Sequence, residues 1–563
     1  MNRENESLTV ILVSKSSDVP DLKIKEGDKM MIGRNPIAKI KNIKCPRKLY
    51  QVELRAEISN WFVFLTNLKT NETGILKEGE TIKGPGFEYE VKFDKVAYVS
   101  EPKDDNNEIS AIRKSCDEDG EDSVNSTPTK KPKLESPIKK IMESEQPSHW
   151  EEVDEGSVQI YHYLGGGKPS SKIACFDFDG TLVSVKSGAK FPKDGSDWKL
   201  WDKSLPGLIQ KSTDGGHRFV VFSNQKGVST GHMSIDNVKQ RIESCLAAIG
   251  VPSIAFLALK DNIYRKPRPG MWYLLQNCYN DLIDINLEES FFVGDAAGRK
   301  SALNKDHSCA DILFAMNNQI GFLTPEQFRV GKRPKKIGDI SPNLHNLPPF
   351  NPKALRDSKA SPFLELDENG KESSKFANLN EVLNKINLVS SNGSHCIIFV
   401  GLAGAGKSTF FTERLAKEDY YRINRDELKT MEKCEREFEK HIKANSGKTV
   451  KLVIDNINND NASRSLWLNH CKTHNLTPIA FHFNISREHA IHNNTYRRLL
   501  NLMCPDSASP AVPDWIISNQ AKTFVPPTRK EGFSLVFKVN FQPIFEDRGD
   551  REIELYYMYL NEK

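Results

Sequence analysis

Asp177 and Asp179 stand two residues apart at the end of the apolar run Ala174-Cys-Phe-Asp-Phe-Asp-Gly-Thr-Leu182. On an extended strand, side chains at i and i+2 project to the same face, and Gly180-Thr181 then turns the chain. Two carboxylates at the C-terminal end of a buried strand make a hard, oxygen-rich site suited to Mg²⁺. One can attack phosphorus while the other moves protons. Further signatures follow in order: Ser223-Asn224 after Phe219-Val-Val-Phe222, then Arg265-Lys266-Pro-Arg-Pro-Gly270, then Gly294-Asp295-Ala-Ala-Gly-Arg299 after Phe291-Phe-Val293. Parallel α/β sheets gather ligands at the carboxyl ends of their strands, so these signatures converge on one crevice.

A second set lies downstream. Cys396-Ile-Ile-Phe-Val400 runs into Gly401-Leu402-Ala403-Gly404-Ala405-Gly406-Lys407-Ser408-Thr409, a G-x-x-x-x-G-K-[ST] loop in a strand–loop–helix setting. Its backbone N–H groups would wrap the phosphates of ATP, Lys407 would reach the β- and γ-phosphates, and Ser408 would ligate Mg²⁺. Asp426 in Arg422-Ile-Asn-Arg-Asp426 is placed to deprotonate an acceptor hydroxyl, and Asp455 ends a second apolar strand, Lys451-Leu-Val-Ile-Asp455. The basic segment His492-Asn-Asn-Thr-Tyr-Arg-Arg498 could close over the transferring group. Arg425, Arg497 and Arg498, with Arg265 and Arg268, are the candidate lid and nucleic-acid contacts.

The elements that position these residues follow from composition. At 563 residues the chain is too long for one core. With 79 basic and 75 acidic residues the net charge is +4, so any anion-binding surface is local. Residues 1–100 carry short alternating runs separated by turn residues, which predicts a β-sandwich. Residues 101–148 are polar, with an acidic run and then Lys130-Lys-Pro-Lys133, and read as a disordered linker carrying a candidate nuclear signal. Strand–helix alternation over 149–335 and again over 376–563 predicts two parallel-sheet α/β domains, with 336–375 as a second linker. Ten scattered cysteines without a CxxC pair, a polar start and no long apolar run predict a soluble intracellular protein.

The four signatures from Asp177 to Asp295 resemble the motifs of the haloacid dehalogenase phosphohydrolases. The resemblance implies Asp177 as nucleophile, Asp179 as the acid and then base, and Ser223 and Lys266 as holders of the phosphoryl oxygens. Asp295 would complete the Mg²⁺ site, with Asp311 a weaker candidate. In the first hundred residues Ile32-Gly33-Arg34 and Thr70-Asn-Glu-Thr-Gly74 resemble a forkhead-associated domain. That implies a phosphothreonine site with Arg34 and Arg47 on the phosphate and Asn71 on the peptide backbone. The usual Ser-x-x-His is replaced by Lys44-Cys-Pro-Arg47, so Pro46 stands where a serine is expected.

In this order the three segments resemble the bifunctional polynucleotide kinase 3′-phosphatase family. Asn424-Arg-Asp426, Ile454-Asp-Asn456, His492-Asn-Asn494 and Glu531-Gly-Phe533 add to the likeness. It implies Asp426 as the kinase general base, Asp455 as the Walker B acid, and a metal-ligand set of Asp177, Asp179, Asp295, Ser408 and Asp455. A kinase and a phosphatase acting on the same oxygen would only hydrolyse ATP, so the fusion makes sense on two positions of one substrate. A strand break bearing a 3′-phosphate and a 5′-hydroxyl offers two such positions. The family resemblance implies a monomeric, nuclear DNA-repair enzyme and a phosphorylated scaffold as partner. Healing of RNA ends and phosphoryl exchange on a small metabolite share the chemistry and stay open. A binding scaffold with inactive domains is disfavoured, because every catalytic carboxylate is present.

Overall fold

A computed structural model of the chain divides into two compact units, Met1–Pro147 and Ser148–Lys563. The structure describes the strand backbones within 6–97 and, from 147 onward, all residues except 282, 302–303, 336–344, 346, 391, 504–510, 546–547 and 563. Arg34, Arg47, Asn71 and Pro46, with the basic cluster of 130–133, lie outside the described residues.

The first unit contains two four-stranded sheets. One has the order Leu22–Lys25, Glu6–Ser14, Phe87–Ala97, Thr81–Gly84; the other runs Lys29–Ile32, Tyr50–Glu57, Asn60–Asn67, Thr73–Leu76. Every pairing is antiparallel, as the alternating runs predict.

The second unit holds two seven-stranded sheets built on one plan. The first has the order Gly321–Leu323, Phe291–Val293, Lys172–Phe176, His217–Asn224, Ser253–Ala258, Val158–Tyr163, His149–Val153. Its first five strands are parallel and the last two antiparallel. The second sheet runs Tyr421–Asn424, Lys451–Asp455, His395–Val400, Thr477–Asn484, Leu535–Asn540, then antiparallel Phe363–Leu366 and Glu372–Phe376. Helices cover both faces of the parallel strands, and so these read as continuous apolar runs; Cys396–Val400 are all fully buried.

The stretch read as a second linker is corrected here. Phe363–Leu366 and Glu372–Phe376 form the edge hairpin of the second sheet. Asp367 makes the turn, its Oδ1 accepting the backbone N–H groups of Asn369 and Lys371 at 2.8 Å each. The strand was hidden because its Glu365 is polar yet buried, and it is neutralised by Arg529 from another element. A charge in a short run reads as a loop until its partner is known.

A strap then joins the two sheets. After the helix Asp550–Tyr556, residues 557–562 cross onto the first sheet's helix layer. Asn317 exchanges two hydrogen bonds with the backbone of Tyr559, at 2.8 and 2.9 Å. Arg268 Nε donates to Leu560 O at 3.1 Å, and Cys309 N–H donates to Glu562 O at 3.0 Å. Tyr559 is buried within the first sheet's core alongside Trp272 and Leu313.

Candidate active sites

The first site sits at the carboxyl ends of the strands Lys172–Phe176, His217–Asn224 and Phe291–Val293. Asp177, Asp295 and Asp311 bring their carboxylates together, one oxygen from each lying within 4.8 Å of the others. Lys266 is buried against them, with Nζ 2.6 Å from Asp177 Oδ1 and 2.7 Å from Asp311 Oδ1. Asp311, the weaker sequence candidate, is therefore central. Its position in the first turn of the helix Ala310–Asn317, beyond the strand signatures, is why spacing alone ranked it low.

Burial pushes the Asp177 carboxyl well above its usual range, and the neighbouring Asp311 and Asp295 add to this against the pull of Lys266. Burial, then the charge of Asp311, raises Asp295 to about 7. Three carboxylates share one ammonium in a largely buried pocket, an excess of negative charge that a divalent cation would relieve. The hard oxygen donors fit Mg²⁺. Glycine is needed in the walls: a Cβ at Gly180, whose φ is +79°, would lie 2.5 Å from Asp295 Oδ2.

The Asp179 carboxylate is not one of the three that cluster, and it is engaged by other side chains. Arg241 Nη2 donates to its Oδ1 at 2.5 Å and Gln225 Nε2 to its Oδ2 at 2.8 Å. The same Gln225 amide donates to Ser223 Oγ at 2.8 Å, so Ser223 and Asp179 are held in one network. Asn224 exchanges two hydrogen bonds with the Lys266 backbone, at 2.9 and 3.0 Å, which fixes the lysine loop against the second strand. Sequence reasoning missed Arg241 and Gln225. A signal for Arg241 existed: it falls within the apolar stripe Val238, Ile242, Cys245, Ile249 of the helix Ile235–Ile249. A charge inside such a stripe calls for a buried partner.

The second site is a cleft of about 1330 Å³ between the phosphate loop, the Asn424–Asp426 turn, Asp455 and Arg497. Residues Gly401–Thr409 link the strand His395–Val400 to the helix beginning at Lys407, the setting expected for such a loop. Gly404 has φ +82°, and a Cβ there would lie 2.7 Å from Ala490 O. Lys407 Nζ donates to the carbonyls of Gly401 and Leu402, both at 2.8 Å, and burial lowers its pKa to about 8. An anionic phosphate in the cleft would further favour its charged form and draw it off these carbonyls.

Asp455 Oδ2 accepts from Ser408 Oγ, Asn424 Nδ2 and Arg422 Nε, each at 2.9 Å. Ser408 and Asp455 thus stand together, as a shared ion would need. Asp426 faces the cleft, while its backbone N–H is capped by Asn424 Oδ1 at 2.7 Å. Arg425 also lines the cleft. Asn493, within the basic segment, donates to Gly404 O at 2.9 Å and accepts from the Tyr556 hydroxyl at 2.6 Å. The phosphate loop is therefore braced by the helix Arg487–Met503 and, through Asn493, by the helix Asp550–Tyr556.

The five candidate lid arginines separate. Arg425 and Arg497 line the cleft. Arg498 lies 4.0 Å from Asp261, in the loop after the strand Ser253–Ala258 of the first sheet. Arg265 pairs with Glu562 at 3.0 Å. Arg268 is buried and commits its guanidinium to Asp261, Asn262 O and Leu560 O. Both reach the C-terminal strap, and Arg268, buried with its guanidinium committed, is corrected as a nucleic-acid contact.

Residues 172–329 match the family described as polynucleotide kinase 3 phosphatase, and residues 10–79 match the FHA domain. A bifunctional polynucleotide phosphatase/kinase of Schizosaccharomyces pombe is 29% identical over 386 residues, 69% of this chain and 83% of that protein. The polynucleotide 3′-phosphatase ZDP of Arabidopsis thaliana is 38% identical over 178 residues, 29% of this chain and 24% of that protein. An uncharacterised 20.8 kDa protein of Autographa californica nuclear polyhedrosis virus is 38% identical over 174 residues, 30% of this chain and 92% of that protein.

Proposed function

We propose that the chain is a bifunctional polynucleotide phosphatase/kinase that prepares broken DNA ends for ligation, removing 3′-phosphates and phosphorylating 5′-hydroxyls. The observation that carries this reading is the presence, in one compact unit, of a buried Asp–Lys phosphoryl site and a separate phosphate-loop cleft.

At the first site Asp177 attacks phosphorus and forms a phospho-aspartyl intermediate. Lys266 and Ser223 hold the phosphoryl oxygens. Asp179, oriented by Arg241 and Gln225, gives its proton to the leaving 3′-oxygen and then takes one from water. Asp177, Asp295 and Asp311 would hold Mg²⁺, which supplies charge that favours the ionised nucleophile and offsets the phosphoryl oxygens.

At the second site the loop amides and Lys407 bind the ATP phosphates, and Arg497 faces the group in transfer. Asp426 accepts the proton of the 5′-hydroxyl as it attacks. Ser408 and Asp455 would hold Mg²⁺ there.

The N-terminal unit we assign to a phosphothreonine-bearing break-repair scaffold, and the protein to the nucleus. The decisive assay offers a nicked duplex with 3′-phosphate and 5′-hydroxyl ends, Mg²⁺ and ATP, and follows both termini. Conversion of both ends supports the reading. Preference for RNA ends of the same sequence would transfer it to RNA healing. Turnover of mononucleotides alone, insensitive to salt, would favour a metabolite substrate.

A further inference from the structure

Two helices of the kinase half pack against each other through Phe438 and Trp467: Met431–Ala444 and Asn461–Thr473 with its capping His474. His470 and His474 are one helical turn apart and share a face; Glu435 and Glu439 are one turn apart on the facing helix. His470 Nδ1 lies 3.1 Å and His474 Nε2 2.8 Å from the same oxygen, Glu439 Oε1. All three ligand atoms fall within 4.8 Å of one another. We propose that Glu439, His470 and His474 form a transition-metal site of the zinc class, which staples these two helices together.

The chemistry selects the ion. Two imidazoles and one carboxylate suit Zn²⁺ and its neighbours, whereas Mg²⁺ and Ca²⁺ take oxygen donors. Three protein ligands leave a fourth position for water. An outer partner is also in place. With Nδ1 of His470 directed at the ion, its Nε2–H points to Glu435 Oε2, 3.4 Å away. Such a carboxylate fixes the tautomer and orientation of a ligating histidine. The face is half-buried and so can be loaded from solvent, and His470 and His474 pack on Phe438, which limits their freedom. The arrangement also exceeds what ion pairing needs, because two rings converge on one carboxylate oxygen.

The location gives the staple a role. The helix Met431–Ala444 follows directly on the Asn424–Asp426 turn, and Met431 lines the nucleotide cleft. Fixing its far end would steady the wall that carries Asp426.

The test uses the full chain, stripped with chelator, titrated with ZnCl₂ under excess Mg²⁺ and in competition with a chromophoric chelator. Co²⁺ in place of Zn²⁺ gives a direct optical report, since tetrahedral nitrogen–oxygen coordination produces visible bands. Wild type should hold one zinc that His470→Gln, His474→Gln and Glu439→Gln each weaken by about tenfold or more. The cobalt bands should vanish in His474→Gln. Circular dichroism and zinc-free kinase activity matching wild type show that the variants are folded. Equal zinc affinity in wild type and all three variants, or no zinc competing with the chelator, reduces the cluster to histidine–glutamate ion pairs and overturns the proposal.

Discussion

Arg241 holds Asp179 through a 2.5 Å contact made from a helix that no motif marks, with the guanidinium buried and the carboxylate half open to solvent. The arginine touches neither the carboxylate triad nor Lys266, so it acts on chemistry only by aiming Asp179. Arg241→Met is expected to lower 3′-phosphatase kcat by about 10- to 100-fold, part of the 10²–10⁴ available to a proton-transfer group. KM should change little, Arg241→Lys should recover some of the loss, and kinase activity should be unaltered. Steady-state rates on a 3′-phosphorylated nick check this. A loss confined to KM would place Arg241 in substrate binding instead.

The two sites share no side chain, so single substitutions should separate them. Asp177→Asn should abolish 3′-phosphate removal and leave 5′-phosphorylation near wild type. Asp426→Asn, or Lys407→Ala, should reduce phosphorylation by about 10²-fold or more and spare the phosphatase. Mixing Asp177→Asn with Lys407→Ala on one nicked duplex should restore both ends. Failure of the mixture, with both proteins folded, would mean that one product is handed directly to the other site.

Asn317 joins two segments far apart in sequence: its Nδ2 donates to Pro267 O at 2.9 Å as well as to Tyr559 O. Pro267 follows Lys266, so the strap bears on the lysine loop. Asn317→Ala leaves buried backbone groups unpaired, at about 1–3 kcal/mol each. The urea midpoint should fall accordingly, and phosphatase activity per folded molecule should fall more than kinase activity. Equal losses in both would show that the strap stabilises without positioning.

His492 and His489 lie beneath Tyr556, with His492 Nε2–H donating to Tyr556 O at 2.8 Å. Burial lowers their pKa values to about 3 and about 4. Both lie below the unfolded value near 6.5, so the unfolded chain takes up protons first. Their contribution to stability is complete above about pH 6.5 and is lost as pH falls toward 4. Urea midpoints followed by circular dichroism from pH 7.5 to 4.5 should decline, and less steeply in His492→Gln. Parallel declines would assign the loss to other groups.

What could be read in the chain beforehand had a local origin. Asp177, Ser223 and Asp295 follow apolar strands, and Lys407 ends a loop whose spacing carries its own meaning. These residues lie where strand periodicity puts them. Arg241, Asn317 and the hairpin at Phe363–Phe376 were not legible, because each is explained by a partner far away in sequence. Arg268 failed for the opposite reason. A basic residue beside a site reads as a nucleic-acid contact until the Leu560 carbonyl and Asp261 are seen to take it.

The strap also bears on how the protein is made. Residues 557–562 leave the ribosome only after the whole kinase segment, yet Tyr559 completes the core of the phosphatase sheet. A nascent or proteolysed chain ending before Tyr557 lacks that ring and leaves Asn317 and Arg268 without their strap carbonyls. The phosphatase half, although translated first, therefore receives its last core contacts only once the C-terminal strap has been made.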